Sequence, residues 1–151
     1  MPTIAKCWMK KDQSFNIPTL GYTRRRNFFI TMLWPQKNIV WNCFKRRRNI
    51  EFRKHLSHLA AYAKRCKLRK LILFIDRASY HDTPAVRKFF REHRVFRRIF
   101  LGKKDPNSNP VEGFVNKRFA SWMVNRSFEN EAELENVSKK FTRRYNSTYA
   151  T

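Results

Sequence analysis

"LILFIDRASYH", residues 71–81, reads as a strand that ends on an acid. Leu71 to Ile75 is an unbroken apolar run of strand length. Continuous rather than alternating hydrophobicity predicts cover on both faces, as in a central parallel strand. Asp76 follows at once. Open α/β sheets place their sites beyond the carboxyl ends of the strands, so Asp76 stands where an acid could hold a metal ion. A carboxylate there can equally cap the turn that follows. Position alone leaves both readings open.

Acids are scarce in this chain. Its 151 residues carry 34 Lys and Arg against 11 Asp and Glu, a net charge of +23. Four of the acids, Glu129, Glu131, Glu133 and Glu135, crowd into one short stretch. Self-repulsion of that size is tolerable when polyanions offset it. Nucleic acid is therefore the leading partner, because phosphates release counterions to a basic surface. An anionic membrane would require an amphipathic anchor or a lipid signal, and the sequence shows neither. No apolar run approaches the roughly 18 residues of a spanning helix. "MPTIAKCWMKKDQ" at the start lacks the apolar core of an export signal. A hydrophobic content of 42% excludes a disordered tail, and the length suits one domain over residues 1–151. Cys7, Cys43 and Cys66 are scattered, which predicts buried free thiols in a reducing, cytoplasmic setting.

Working outward from residue 71, "NFFITMLW" (27–34) and "IVWNCF" (39–44) predict two strands of a hairpin around a turn at Pro35 to Asn38. Asn49 can cap a helix that begins at Ile50, with Phe52, Leu56, Leu59, Ala63 and Cys66 as its apolar stripe. Thr83 and Pro84 open the next helix, whose stripe is Val86, Phe89, Phe90 and His93. "FRRIFL" (96–101) is a short strand. Asn109 and Pro110 open a helix to about Arg126, and a last helix runs from about Glu131 to Tyr145. Strand, strand, helix, strand, helix, strand, helix, helix predicts an α/β fold with a mixed sheet.

Glu112 is the second acid of interest. At the third position of a helix capped by Asn109, it can reach back to the cap's N–H as in a capping box. It can also point across a cleft. With Asp76 it forms a pair separated by residues 77–111, enough chain for a helix, a strand and a loop to return to the same sheet end. Two carboxylates in a basic field suit Mg²⁺ or Mn²⁺, hard ions that prefer oxygen. Such ions can activate a water or a 3′-hydroxyl and stabilise a leaving oxygen.

These residues carry a resemblance. "LILFIDRASYH" resembles the apolar-run, Asp-Asn-Ala-x-x-His block of mariner-like DDE superfamily transposases. "DPNSNPVEGFVNKRF" (105–119) resembles their block ending in Asn-Pro-Ile-Glu and the helix after it. "KCWMKKDQS" and the basic strand "YTRRRNFFITMLW" also fit, so the resemblance covers nearly the whole chain. It implies an RNase H-like mixed sheet with flanking helices. It implies that Asp76 and Glu112 are the second and third acids of a catalytic triad that binds two Mg²⁺ or Mn²⁺ ions. It places His81 near the site. The implied activity is cleavage and transfer of DNA strands, with transposon ends and target DNA as partners and a homodimer as the complete enzyme. A bacterial source would imply a nucleoid location.

Two departures stand out. Arg77 occupies the usual Asn position. The first triad Asp ends a central strand that lies before "KCW", so the chain is expected to be a truncated catalytic domain without that strand and acid. A misassigned start, a decayed element and a frameshifted reading frame would each produce this. Asp12, the one acid before Glu51, sits in the loop after the expected place and is a poor substitute.

His81 either supports Asp76 from behind or packs in the core. Asn109 has the corresponding supporting place beside Glu112. His55 and His58 predict a partly exposed pair on a basic helix, since a zinc site would require two more ligands. For DNA contact, the candidates are Arg24, Arg25 and Arg26, then Arg46 and Arg47, and Lys103 and Lys104 just ahead of Glu112. Trp8, Trp34, Trp41 and Trp122 are expected in the core or at its rim rather than as base-stacking platforms. The second reading of the chain is a non-catalytic basic nucleic-acid-binding module. A third is a self-sufficient nuclease with Asp12 as the missing acid.

Overall fold

A computed structural model describes residues 6, 8–14, 16, 25–102 and 109–149. Strands β1 (Asn27–Met32) and β2 (Ile39–Phe44) form an antiparallel hairpin in which Phe29 faces Asn42 and Ile30 faces Trp41. Helix α1 (Asn49–Arg65) leads to β3 (Leu71–Ile75), a short 3₁₀ turn (Ser79–His81) and α2 (Pro84–Glu92). Strand β4 (Phe96–Phe100) pairs parallel to β3, Leu71 with Phe96 and Ile75 with Phe100. A π-helical turn (Val111–Asn116) feeds α3 (Lys117–Met123), and α4 (Glu131–Tyr149) closes the described chain.

The hairpin is two-faced, because side chains alternate along a strand. Phe29 enters an upper core with Phe52, Leu56 and Leu59 of α1, Leu73 and Ile75 of β3, Val86 and Phe89 of α2, and Phe96 of β4. Val40 and Phe44 line the same side. Ile30, Met32, Ile39 and Trp41 face a lower core of Val115, Phe141 and Tyr145. Asn146 of α4 clamps the start of β2. Its Oδ1 accepts from the Ile39 N–H at 2.8 Å, and its Nδ2 donates to the Ile39 carbonyl at 3.1 Å.

Strand directions are mixed as expected, but the ladders form two separate two-stranded sheets among the described residues. Several local expectations change. Helix α1 starts at Asn49 rather than Ile50, and the Arg48 position before it makes no side-chain cap. An Arg48–Glu51 ion pair at 2.8 Å occupies that end instead. Strand β3 is covered on one face only. Leu73 and Ile75 are buried, whereas Ile72 and Phe74 are 50% and 62% exposed. Cys66 follows the end of α1 and is exposed, and Cys43 is only partly buried. Cys7 lies outside the described residues. Trp34, at the tip of the hairpin, is 76% exposed rather than in the core.

His55 is also not a surface residue. It is buried between the hairpin and α1. Its Nδ1 lies 2.6 Å from Asn42 Oδ1 and its Nε2 lies 2.8 Å from Thr31 Oγ1. An amide oxygen only accepts, so Nδ1 donates to Asn42 and Nε2 accepts from Thr31. Asn42 Nδ2 then donates to Nδ1 of the exposed His58 at 2.7 Å. Burial without a countercharge holds the His55 pKa down at about 3, so the ring is neutral.

Candidate functional site

Asp76 leaves the end of β3 where the Leu101 N–H donates to the Ile75 carbonyl at 2.8 Å, fixing the strand end to the exit of β4. Its Oδ1 accepts from the Ala78 N–H at 2.9 Å, which is a turn cap. The same oxygen lies 2.7 Å from Nδ1 of His81. An ionised carboxylate only accepts, so Nδ1 carries the proton. His81 is buried, with the Phe52 and Tyr80 rings at 4.2 and 4.3 Å from its own. Both contacts fall on Oδ1. Oδ2 accepts nothing among the described residues, and the side chain is 48% exposed. The His81 hydrogen bond, then the Ala78 N–H and the charges of His81 and Arg47, lower the Asp76 pKa against the opposing effect of burial. One carboxylate thus caps the turn with one oxygen and leaves the other open.

Glu112 sits in the first turn of the π-helix. Asn109 does begin this segment, but its Oδ1 accepts from the Val111 N–H at 3.1 Å, one residue earlier than a capping box. The Glu112 N–H donates to the Asn109 carbonyl at 3.0 Å. The Glu112 carboxylate is exposed and has no hydrogen bond or ion pair among the described residues. The wide i→i+5 winding of a π-turn seats Val111 and Val115 in the lower core and leaves Glu112, Gly113 and Phe114 outside.

Both segments meet the same strand. Phe29 of β1 lies 5.8 Å from the Tyr80 ring and 6.5 Å from that of His81, so the turn after Asp76 packs on one face of β1. The π-helix packs on the other face, through Val111 and Val115 beside Ile30 and Met32. No group of three or more His, Cys, Asp or Glu that could hold a metal occurs among the described residues. Asp12 lies in an exposed turn with φ of 68°.

Most other acids are neutralised. Glu51 pairs with Arg48, Asp82 with Arg87 and Arg98, Glu92 with Lys88, Glu131 with Arg26, and Glu135 with Lys139. Asp76 and Glu112 have no Lys or Arg partner among the described residues, although the chain holds 34 of these cations.

The basic candidates are placed unequally. The Arg47 guanidinium lies 5.6 Å from the centre of the Tyr80 ring, and its charge is felt by Asp76. Arg25 and Arg46 are exposed. Arg26 is turned inward to Glu131 at 2.7 Å, with its side chain only 11% exposed. Arg24, Lys103 and Lys104 lie outside the described residues. Arg77 locks the strand end: its Nε donates to the Leu101 carbonyl at 3.1 Å and its guanidinium lies over Phe100. Only its place beside Asp76 could have signalled that part, because both partners lie more than twenty residues away.

No curated protein sequence matches the chain. Solved structures match in fold, among them two of Mos1 transposase. The Mos1 transposase paired-end complex with left transposon end aligns with a TM-score of 0.70 at 13% identity, covering 94% of this chain and 44% of that one. The Mos1 strand transfer complex aligns at 0.66 and 14% identity, covering 98% and 45%. The chain therefore spans less than half of the chains it matches, and the α/β fold is the RNase H-like one that the sequence resemblance implies. The family model described as DDE superfamily endonuclease matches residues 1–135. With that match over most of its length, the chain belongs to the DDE superfamily endonucleases.

Proposed function

We propose that this chain is part of a transposase catalytic domain that cuts and transfers DNA strands, and that Asp76 and Glu112 are two of its metal-holding acids. The observation that carries the reading is their shared isolation. In a strongly cationic protein, these two carboxylates stand on segments that both meet β1, and each presents oxygen that no Lys or Arg among the described residues claims. Carboxylate oxygen is a hard donor that fits Mg²⁺ or Mn²⁺. When bound, such ions supply an activated oxygen nucleophile and stabilise the leaving oxygen.

The chain's own residues do the rest. His81 donates to Oδ1 of Asp76 and turns Oδ2 outward. Arg47, beside the same turn, meets a DNA phosphate, as do the exposed Arg25 and Arg46 and the two lysines at 103 and 104. Asp76 and Glu112 are the second and third acids of the triad in this reading, and the first is supplied by a residue other than these two. Transposon ends and target DNA are the partners, and the whole enzyme acts as a dimer. The two matched structures, Mos1 transposase with a transposon end and its strand transfer complex, support DNA as the partner.

Titrating Mn²⁺ into the isotopically labelled chain tests the pair directly. Paramagnetic broadening is expected at the amides of Ala78 and Gly113 together, and Asp76→Asn or Glu112→Gln should each abolish it at both. Broadening at one segment only, or surviving both substitutions, refutes the shared site and leaves a basic DNA-binding module. Metal-dependent nicking of plasmid DNA by a protein that carries all three acids should be lost with Asp76→Asn or with Glu112→Gln.

A further inference from the structure

The seam between α3 and α4 holds arginines stacked on aromatic rings. Arg118 lies 4.6 Å from the centre of the Tyr149 ring and 5.8 Å from that of Phe114. One turn further along α3, Trp122 takes Arg126 at 4.7 Å and Arg144 of α4 at 5.4 Å. Phe114 and Tyr149 are 57% and 42% exposed, and Arg126 and Arg144 are exposed as well. The underside of the seam is fixed by Phe141, 5.1 Å from the Phe119 ring and 6.2 Å from that of Trp122. The Trp122 ring is therefore anchored in the lower core, and the Tyr149 ring lies 5.0 Å from that of the buried Tyr145.

The electrostatics are one-sided. Residues 113–128 and 136–149 contain seven Lys and Arg and no Asp or Glu. The acids of α4 all fall at its start, where Glu131 is taken by Arg26 and Glu135 by Lys139. A guanidinium stacked on a ring loses much of its freedom while its N–H edge stays free for a planar anion, so its phosphate contact is preorganised. Four residues of α3 separate Arg118 from Trp122, about 6 Å of helix axis. That is roughly two nucleotide steps of one strand of a duplex, at 3.4 Å each.

We infer that this seam is a track for the backbone of duplex DNA, running away from Glu112 and read without reference to sequence. The partner is a duplex rather than a single strand because the faces on which bases would stack are already taken by arginine. The inference rests on the DNA reading given above and adds a surface to it: Phe114 lies two residues from Glu112, so the track begins beside the carboxylate.

Fluorescence anisotropy with a mixed-sequence duplex, in EDTA and over a salt series, tests the track. Arg118→Gln with Arg144→Gln should weaken binding roughly tenfold or more and lower the slope of log K against log salt by about two. The charge-matched pair Lys64→Gln with Lys67→Gln, at the far end of α1, should leave both nearly unchanged. Equal losses in the two pairs would show a merely general charge effect and overturn the inference. So would tighter binding of a single strand than of the duplex. Arg118→Lys with Arg144→Lys keeps the charge and the fold but loses the planar stack, and should fall between wild type and the Gln pair. Wild-type affinity there would also overturn it. Because EDTA removes the metal, failure of the Asp76–Glu112 site leaves this measurement unaffected, while a lost track leaves the Mn²⁺ broadening intact.

Discussion

Nδ1 of the buried His81 is shared between the Asp76 backbone carbonyl at 3.3 Å and Oδ1 of the half-exposed Asp76 at 2.7 Å, and the bond to Oδ1 joins the core to the candidate metal site. That bond is the main reason the Asp76 pKa sits below its ordinary 3.8. The carboxylate then stabilises the fold above that value, and the contribution is lost as pH falls through the lowered pKa. His81→Phe keeps a ring between Phe52 and Tyr80 but removes the donor. A carboxyl-detected titration should show the Asp76 pKa rising. The stability change from this term stays below about 1 kcal/mol because solvent screens the acid. Mn²⁺ affinity should drop roughly tenfold or more.

His55 predicts an acid-sensitive hairpin. Its folded pKa of about 3 lies below the ordinary 6.5, so the unfolded chain binds the extra proton between those values. Stability is full above pH 6.5 and falls on acidification toward pH 3, by up to about 1.4 kcal/mol per pH unit from this group. His55→Gln should flatten that part of the profile in urea titrations. At pH 7 the same change should cost about 2 kcal/mol, since Thr31 and Asn42 lose their buried partner.

Leu56 is wholly buried among Phe29, Phe52 and Ile75 in the upper core. Leu56→Ala should destabilise by about 3–5 kcal/mol, combining lost burial with a cavity. Equilibrium denaturation would measure it. On the same scale Phe74→Ser, on the open face of β3, should change stability by under about 1 kcal/mol.

Gly113 follows Glu112, and a methyl group built there would meet nothing within 4 Å. No glycine has positive φ among the described residues. Gly113→Ala should therefore stabilise by roughly 0.5–1 kcal/mol through the unfolded chain. A thermal melt would show it as a rise in Tm.

Strand and helix placement was legible because local patterns set it. The hairpin's two strands around Pro35 to Asn38, the α1 stripe from Phe52 to Ala63 and the Thr83–Pro84 helix start all read correctly, the last with Thr83 Oγ1 accepting from the Val86 N–H at 3.4 Å. What failed was long-range or masked by composition. The exposed face of β3 is as apolar as its buried one, so period-two alternation left no trace in "LILFI". The burial of His55 depends on Asn42 and Thr31, 13 and 24 residues away. A π-turn over Val111–Asn116 has no periodic signature within so short a segment, and the sequence predicts a plain helix there. Asp76 stands out in the sequence by its place after a strand and Glu112 only by the motif around it, and the strand end and helical segment lie where the sequence puts them.

The wide winding of Val111–Asn116 seats Val115 beneath the hairpin and leaves Glu112 on open surface. The two acids therefore differ in tether: Asp76 is pinned by Ala78 and His81, whereas no hydrogen bond among the described residues fixes the Glu112 side chain.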